Sequence, residues 1–361
     1  YEAEYGRATG GIVNVITKSG SNELHGDVFG YYDSDSLQTN SKTVVGGTPA
    51  GLIRKDYGAD AGGFIVKDKL WFFGAYDQVR NTQHNILSDG PDAGKTVDSL
   101  SHRNLGSAKL TYALSPSNTI VATFLQDPRT DTGAINDANH TLIGDSSTYL
   151  GRQDLGGRDY AVRYDGIVAS KWIFSAQDAK HKEDNSIGPA TAAGDAIEYI
   201  DARNNFFQTG GFGLIQQKSF ERNFYGGSAT RYGHGHQIKL GIELEDQKAD
   251  VIKRMSGGQQ VDVFDNPNNP AKPIYSHFYW TTADATVANA PVSQLNASPE
   301  HKNTTIYLQD RWTLKNVTLN AGLRWDRQRV IDAAGVTQID LKKDYAPRFG
   351  IIWNPNGTNH D

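Results

Sequence analysis

The stretch Val317-Thr318-Leu319-Asn320-Ala321-Gly322-Leu323-Arg324-Trp325-Asp326 alternates without a break. Successive side chains of an extended strand point to opposite faces. Val317, Leu319, Ala321, Leu323 and Trp325 therefore share one face, and Thr318, Asn320, Gly322, Arg324 and Asp326 share the other. Ile238, Leu240, Ile242 and Leu244 alternate in the same way with Lys239, Gly241, Glu243 and Glu245. Each such strand has a greasy side and a wet side. Period two dominates the whole chain, and almost no segment has the i, i+3, i+4, i+7 apolar spacing of an amphipathic helix.

Composition agrees with two-sided strands. The 361 residues include 38 glycines, 17 tyrosines, 14 phenylalanines and 6 tryptophans, yet mean hydropathy is -0.55. No run approaches the roughly 18 to 20 apolar residues a membrane helix needs, so a membrane reading has to be a barrel reading. The absence of cysteine removes disulfides and thiolate chemistry. A net charge of -5 with no Lys/Arg-rich run argues against a nucleic-acid partner. The chain opens on Tyr1-Glu2-Ala3-Glu4-Tyr5 without a methionine, a charged n-region or an apolar h-region. It reads as a fragment, with any signal peptide upstream.

The rhythm of the connections separates a membrane barrel from a soluble sandwich, because outer-membrane barrels alternate short periplasmic turns with long outer loops. Short joins are expected at Lys67-Asp68-Lys69, Ser115-Pro116-Ser117-Asn118, Ala169-Ser170, Gly233-His234-Gly235 and Lys315-Asn316. Long polar connections are expected at about 33–55, 81–102, 128–158, 183–220 and 249–300. About 12 strands of about 9 to 12 residues each result, from one near 24–32 to one near 345–353. Trp71, Trp172, Trp312 and Trp353 each sit beside a short join, as a girdle at the periplasmic rim would.

Three segments carry a family resemblance. Residues 4–32, Glu-Tyr-Gly-Arg-Ala-Thr-Gly-Gly-Ile-Val-Asn-Val-Ile-Thr-Lys-Ser-Gly-Ser-Asn-Glu-Leu-His-Gly-Asp-Val-Phe-Gly-Tyr-Tyr, resemble the plug-to-barrel junction of TonB-dependent outer-membrane receptors. Gly63-Phe64-Ile65-Val66-Lys67-Asp68-Lys69-Leu70-Trp71-Phe72-Phe73-Gly74 and Tyr345-Ala346-Pro347-Arg348-Phe349-Gly350-Ile351-Ile352-Trp353-Asn354-Pro355 are similar to later parts of the same family, in the same order. The wording of residues 4–11 looks like the Oar-like branch, whose members carry a carboxypeptidase-regulatory-like domain ahead of the plug.

The resemblance implies an all-β fold: a partial transmembrane antiparallel barrel, about 12 of 22 expected strands, preceded by the last strand of the plug. Residues 1–22 would be the end of the plug and its linker, and residues 23–361 the first part of the barrel. The junction motif would be Gly10, Gly11, Asn14, Thr17 and Lys18. It further implies integral residence in the bacterial outer membrane, contact with outer-membrane lipid, and active uptake of a scarce solute of unknown identity. The drive would come from the TonB energy-coupling complex through a missing N-terminal segment. The alternatives are an adhesion or secretion-related barrel without energised import, and an outer-membrane enzyme in a closed 12-stranded barrel. The lumen of the latter is too narrow for a folded plug.

Catalytic and metal readings find little in the chain. His234 and His236 are two candidate ligands without a third, lying in an expected tight turn. Asp33-Ser34-Asp35-Ser36 and residues 262–269 offer oxygen ligands without the spacing of an EF-hand loop. No Gly-x-Ser-x-Gly, P-loop or His-Glu-x-x-His motif is present. The expectation is therefore no enzyme, no cofactor and no metal. Charged residues that alternate with apolar ones, Lys239, Glu243, Glu245, Arg324 and Asp326, are expected to face the lumen, against the plug or a passing solute. Capture of that solute would fall to the long loops, where Tyr275, Phe278, Tyr279 and Trp280 are candidates for stacking on it.

Overall fold

Strands with one apolar and one polar face pair edge to edge, and this chain uses them to build one antiparallel wall. The computed structural model describes residues 2–6, 16–38, 49–87, 92–137, 139–281 and 291–355. The first strands are β1 (His25–Ser34), β2 (Pro49–Val66), β3 (Leu70–Ile86), β4 (Thr96–Ser115), β5 (Asn118–Gln126), β6 (Arg129–Ala134) and β7 (Leu150–Leu155). Then come β8 (Gly157–Val168), β9 (Trp172–Pro189), β10 (Glu198–Asp201), β11 (Phe207–Gly210), β12 (Leu214–Gly233), β13 (His236–Met255) and β14 (Gln260–Phe264). The last are β15 (Ile274–Phe278), β16 (Trp280–Thr281), β17 (Pro291–Val292), β18 (Leu295–Ala297), β19 (Glu300–Leu314), β20 (Val317–Ile331) and β21 (Thr337–Trp353).

Twelve strands form the wall in the order β1-β2-β3-β4-β5-β8-β9-β12-β13-β19-β20-β21. Every neighbouring pair along this path is antiparallel, and β12 and β13 run in register from Leu214↔Met255 to Gly233↔His236. Among the described residues the sheet is open: β1 is hydrogen-bonded only to β2, and β21 only to β20. A closed 12-stranded barrel is therefore not what these residues form.

All five expected tight joins are present between the wall strands. In four of them residues adopt the left-handed conformation that such hairpins use: Asp68 (φ 61°), Ala169 (49°), Ser170 (56°), His234 (53°) and Lys315 (49°). β1, β5 and β8 have the expected 9 to 12 residues, but the other wall strands exceed it, and β4, β12 and β13 have 20 each. At about 3.3 Å per residue such a strand is about 65 Å long. Even tilted by 45°, it overshoots an apolar band about 25 Å tall. The stretches expected as loops at 33–55, 81–102, 183–220 and 249–300 are thus partly strand. The wall continues past the membrane, where both faces are wet and alternation is no longer required.

The stretch expected as a loop at 128–158 is a hairpin too. β5 and β6 form one long strand interrupted at Asp127-Pro128, where proline has no N–H to give to the ladder. β7 and β8 are interrupted opposite, at Gly156 (φ 96°). The Asp127 carboxylate closes the break by accepting the Gly157 N–H at 2.8 Å.

Burial is inverted relative to a water-soluble protein. Leu240, Ile242 and Leu244 on β13, Ile306 and Leu308 on β19, and Leu323 on β20 are exposed, whereas Glu245, Thr305, Asn303, Arg324 and Asp326 are buried. The two apolar clusters sit at the loop end: Ile135, Ile187, Phe212 and Ile215, and Leu87, Ala134 and Tyr149. A second, four-stranded sheet, β11-β10-β14-β15, lies within the long connections.

The tryptophans divide. Trp172, Trp312 and Trp353 have the strand parity of the exposed apolar face, as Phe174, Leu308 and Ile351 do. Trp71 departs from the girdle expectation. It shares its face with Phe73, which is buried, and its indole N–H donates to Asn22 Oδ1 at 2.8 Å.

Candidate functional site

The inward face of β13, β19, β20 and β21 holds residues 2–6 in the lumen through polar contacts. Parity puts Lys239, Gln309, Arg324 and Arg348 on this face. Arg324 is 1% exposed and stands at the centre. Its Nε donates to Asp326 Oδ2 at 2.7 Å, and its Nη2 reaches Thr305 Oγ1 at 2.9 Å and Glu243 Oε2 at 3.2 Å. Its remaining nitrogen, Nη1, donates to the carbonyls of Ala3 at 3.4 Å and Glu4 at 3.2 Å. The guanidinium thus ties three wall strands to the N-terminal segment, using the fork of donors that only arginine offers.

Neighbouring groups complete the seam. Lys239 forms an ion pair with Glu4, Gln309 accepts the Glu4 N–H at 2.9 Å, and Arg348 donates to the Glu2 carbonyl at 2.7 Å. Burial alone would raise the Glu4 carboxyl, but the Lys239 ammonium and the Gln309 amide outweigh it and hold the group below its ordinary range. Gly6 makes the approach possible, because a Cβ there would lie 2.3 Å from Arg324 Cζ. Among the lumenal charges named from sequence, Lys239 and Arg324 touch the segment directly. Glu243 and Asp326 hold Arg324, and Glu245 instead pairs with Arg222 at 2.7 Å.

The linker into β1 is fastened separately. Lys18 pairs with Asp60 at 3.1 Å and lies over the Phe73 ring at 5.9 Å, and the Thr17 carbonyl accepts from Lys109 at 3.2 Å. Gly20 rests on wall backbone, where an added Cβ would meet Phe72 O at 2.2 Å. Asn22 Oδ1 accepts the N–H of Asp68 at 2.9 Å, capping the β2–β3 turn. Of the junction residues named from sequence, Gly10, Gly11 and Asn14 lie outside the described residues. Residues 16–18 carry no sheet pairing. Sequence reasoning missed Asn22, Gly20 and Arg348. The alternation of Arg348 with exposed Phe349 and Ile351, which puts it on the opposite face, was the available signal for the last.

A cavity of about 600 Å³ opens on the same side of the wall toward the loop end, between β2, β3, β4 and the β6–β7 hairpin. Two ion pairs of its lining lie within the wall: Arg54 with Asp56 at 3.0 Å and Arg129 with Asp131 at 2.6 Å.

Beyond the wall, Tyr275 and Phe278 stand on β15 three positions apart, hence on opposite faces, and Trp280 begins β16. Tyr275, Phe278 and Tyr279 are exposed. In the same loop sheet Glu198 is 2% exposed, and its Oε1 has no partner in the protein. Burial, reinforced by Asp262 nearby, pushes its carboxyl up to about 7.

His236 bonds Asp310 at 2.7 Å and stacks on Trp312, while His234 sits in the turn. Asp33 accepts from Gln38 at 2.8 Å, and Asp262 from Gln260 at 2.8 Å. No group of three or more His, Asp or Glu side chains that could hold a metal is present among the described residues.

Comparison with known proteins bears on this architecture. A family described as "TonB dependent receptor-like, beta-barrel" matches residues 102–359, and one described as "Outer membrane beta barrel domain" matches residues 16–93. The chain is 25% identical over 441 residues to the TonB-dependent transporter Oar of Myxococcus xanthus, covering 98% of this chain and 41% of that protein. It spans about two fifths of that relative. Among solved structures it is similar to the outer membrane transporter YddB from Escherichia coli, with a TM-score of 0.61, 14% identity, and 99% and 44% of the two chains covered. It is similar also to the unliganded ferric citrate transporter FecA, with a TM-score of 0.58, 12% identity, and 98% and 46% covered. For the siderophore receptor PirA from Acinetobacter baumannii the TM-score is 0.52 at 15% identity, with 98% and 44% covered.

Proposed function

The chain belongs to the TonB-dependent receptor β-barrel family and is an integral part of the outer membrane; from that premise we propose that it forms the first part of a barrel for energised uptake of a scarce solute. Residues 1–22 are the end of a plug and its linker in this reading, and residues 23–361 are barrel. Force reaches the plug from the TonB energy-coupling complex, through chain N-terminal to Tyr1.

The observation that carries the proposal is the chemistry of the seam. Residues 2–6 are held by Lys239, Gln309, Arg324 and Arg348 through hydrogen bonds and ion pairs, and the one buried apolar side chain among them is the methyl of Ala3. Such contacts exchange with water when the segment moves, so a plug held by them can be displaced and can return without exposing an apolar surface. The exposed loop aromatics Tyr275, Phe278 and Tyr279, with Trp280 beside them, are the proposed first contacts of the solute. FecA and PirA are described as a ferric citrate transporter and a siderophore receptor, and a barrel of their kind serves such uptake.

The test is uptake by cells carrying the full-length gene, with energy coupling intact or abolished. Accumulation that depends on both gene and coupling is the expected result. Gene-dependent accumulation that survives loss of coupling would refute energised import.

A further inference from the structure

The outward face of β2, β3 and β4 carries basic side chains that the wall itself leaves unanswered. Parity sets Lys55, Arg80 and His102 with exposed Tyr57, Tyr76 and Leu110. Lys18 and Lys109 meet the linker on the opposite face. All three basic residues are exposed, and they stand in one cross-strand row, Lys55 opposite Arg80 and Arg80 opposite His102. Like charges placed directly opposite one another destabilise a strand pair. None of the three has a carboxylate partner among the described residues. At the described outward positions of β1 to β4 the one acid is Asp98, four residues along from His102 and bonded to His84 at 2.7 Å.

The height of the row says what lies against it. Arg80 is ten residues beyond Leu70, where β3 begins. Ten steps of about 3.3 Å, tilted by about 45°, rise about 23 Å, against an apolar band about 25 Å tall. The row therefore stands at the outer border of the membrane. Tyrosines mark the same border: Tyr32 is in register with Lys55, and the Tyr76 hydroxyl donates to Asn104 at 2.8 Å. Ten residues into β9 and β20, at the equivalent height, Lys182 pairs with Glu221 at 3.3 Å and Arg327 with Asp340 at 2.9 Å. On β2 to β4 the counter-charge has to come from outside the protein, and the headgroup layer of the outer leaflet is what is there.

Neighbouring strands are about 4.8 Å apart, so the three side chains fall within about 10 Å. A guanidinium fork, an ammonium and an imidazole N–H suit an anion with several oxygens. We propose that Lys55, Arg80 and His102 form a lipid site that holds a headgroup phosphate of an outer-leaflet glycolipid. Its acyl chains lie below, along exposed Tyr76, Leu110 and Val28. The site needs only residence in the outer membrane and is independent of whether import is energised.

The experiment is native mass spectrometry of the full-length protein in detergent, titrated with bisphosphorylated lipid A. The same glycolipid stripped of both phosphates, and inorganic phosphate, are the comparison probes. The phosphorylated lipid is expected to bind, the stripped one at least about tenfold more weakly, and inorganic phosphate at equal concentration is expected not to displace it. The double variant Lys55→Gln, Arg80→Gln should weaken binding by about 10- to 30-fold. Lys182→Gln, whose cation is already paired, should leave it unchanged. Heat-modifiable migration on gels verifies that each variant is a folded barrel. If the double variant is not, Lys55→Gln alone carries the test, with a loss of about fivefold. Equal binding of the stripped lipid, binding indifferent to these substitutions, or an equal loss in Lys182→Gln would overturn the site. Displacement by inorganic phosphate at equal concentration would refute a lipid as its occupant.

Discussion

Replacing Arg324 with methionine keeps an unbranched apolar stem and removes the fork of donors at its end, so the variant measures what the guanidinium does for the seam. Two kinds of contact are lost. On the wall side, Asp326 and Glu243 lose the cation that sits 2.7 and 3.2 Å from them, and Asp326 remains in a place that is 6% exposed. Breaking one side of such a buried pair costs about 3 to 5 kcal/mol, most of it the stranded charge. On the segment side, the Ala3 and Glu4 carbonyls lose hydrogen bonds of 3.4 and 3.2 Å. These are long for a charged donor, which places the pair together at about 1.5 to 3 kcal/mol. Only the second contribution bears on release of residues 2–6. The double variant Arg324→Met, Asp326→Leu removes the stranded carboxylate and separates the two.

Hydrogen exchange on the full-length protein in detergent reads the outcome. The Glu4 and Tyr5 amides are protected by bonds of 2.9 and 3.1 Å to Gln309 Oε1 and the Glu2 carbonyl. At about 1.4 kcal/mol per tenfold, exchange of residues 2–6 should quicken by about 10- to 100-fold in the double variant while the wall strands stay protected. If the segment exchanges at the wild-type rate in a folded barrel, the seam is not held by Arg324, and the argument for a displaceable polar anchor loses its centre.

The remaining expectations concern the cap and the lipid face. Glu198 has its carboxyl raised from 4.5 to about 7, so its neutral form is favoured by the fold. Its contribution is full below pH 4.5 and is lost as pH rises through 7. The rise corresponds to about 3 kcal/mol, so exchange in 198–201 and 260–264 should be slower at pH 5.5 than at pH 8.5, after correction for intrinsic rates. Glu198→Gln should abolish the difference, and an equal pH response in that variant would contradict the assignment. Leu240 is 53% exposed in the apolar band of β13, so Leu240→Arg should cost about 2 to 4 kcal/mol in urea titrations of the barrel refolded into liposomes. Gln237→Arg, on the lumenal face of the same strand, should cost far less, and equal losses would contradict the placement of lipid.

How much of this was legible depends on what the membrane demands of each residue. Where a strand separates lipid from water, every second position is constrained, and residues 238–245 and 317–326 declare both the fold and the side on which Lys239, Glu243 and Arg324 lie. The tight joins were equally plain, because Ala169-Ser170 and Gly233-His234-Gly235 leave room for nothing longer. Above the membrane the constraint ends. β12 and β13 run on for 20 residues each, but with water on both faces their outer ends, 214–220 and 249–255, carry no alternation and read as loop. The β6–β7 hairpin escaped notice for the same reason. Trp71 was misplaced because nearness to a turn fixes its height and says nothing of its face. Parity with Phe73 and Asp77 would have turned it inward.

Parity could not supply partners. It puts Arg324 in the lumen, yet the groups it meets there, Ala3 and Glu4, lie 321 and 320 residues away in sequence. Which residues of a curved wall reach the same height depends on strand tilt and on the register of every intervening pair. The same separation explains why the fold persists at 14% identity to YddB. Outward positions need only be apolar, so Leu240 and Ile242 are replaceable by any side chain that lipid tolerates. Inward positions are free of that demand and answer only to what the barrel holds. Architecture is therefore written on one face and cargo on the other, which is why shared architecture does not name the solute.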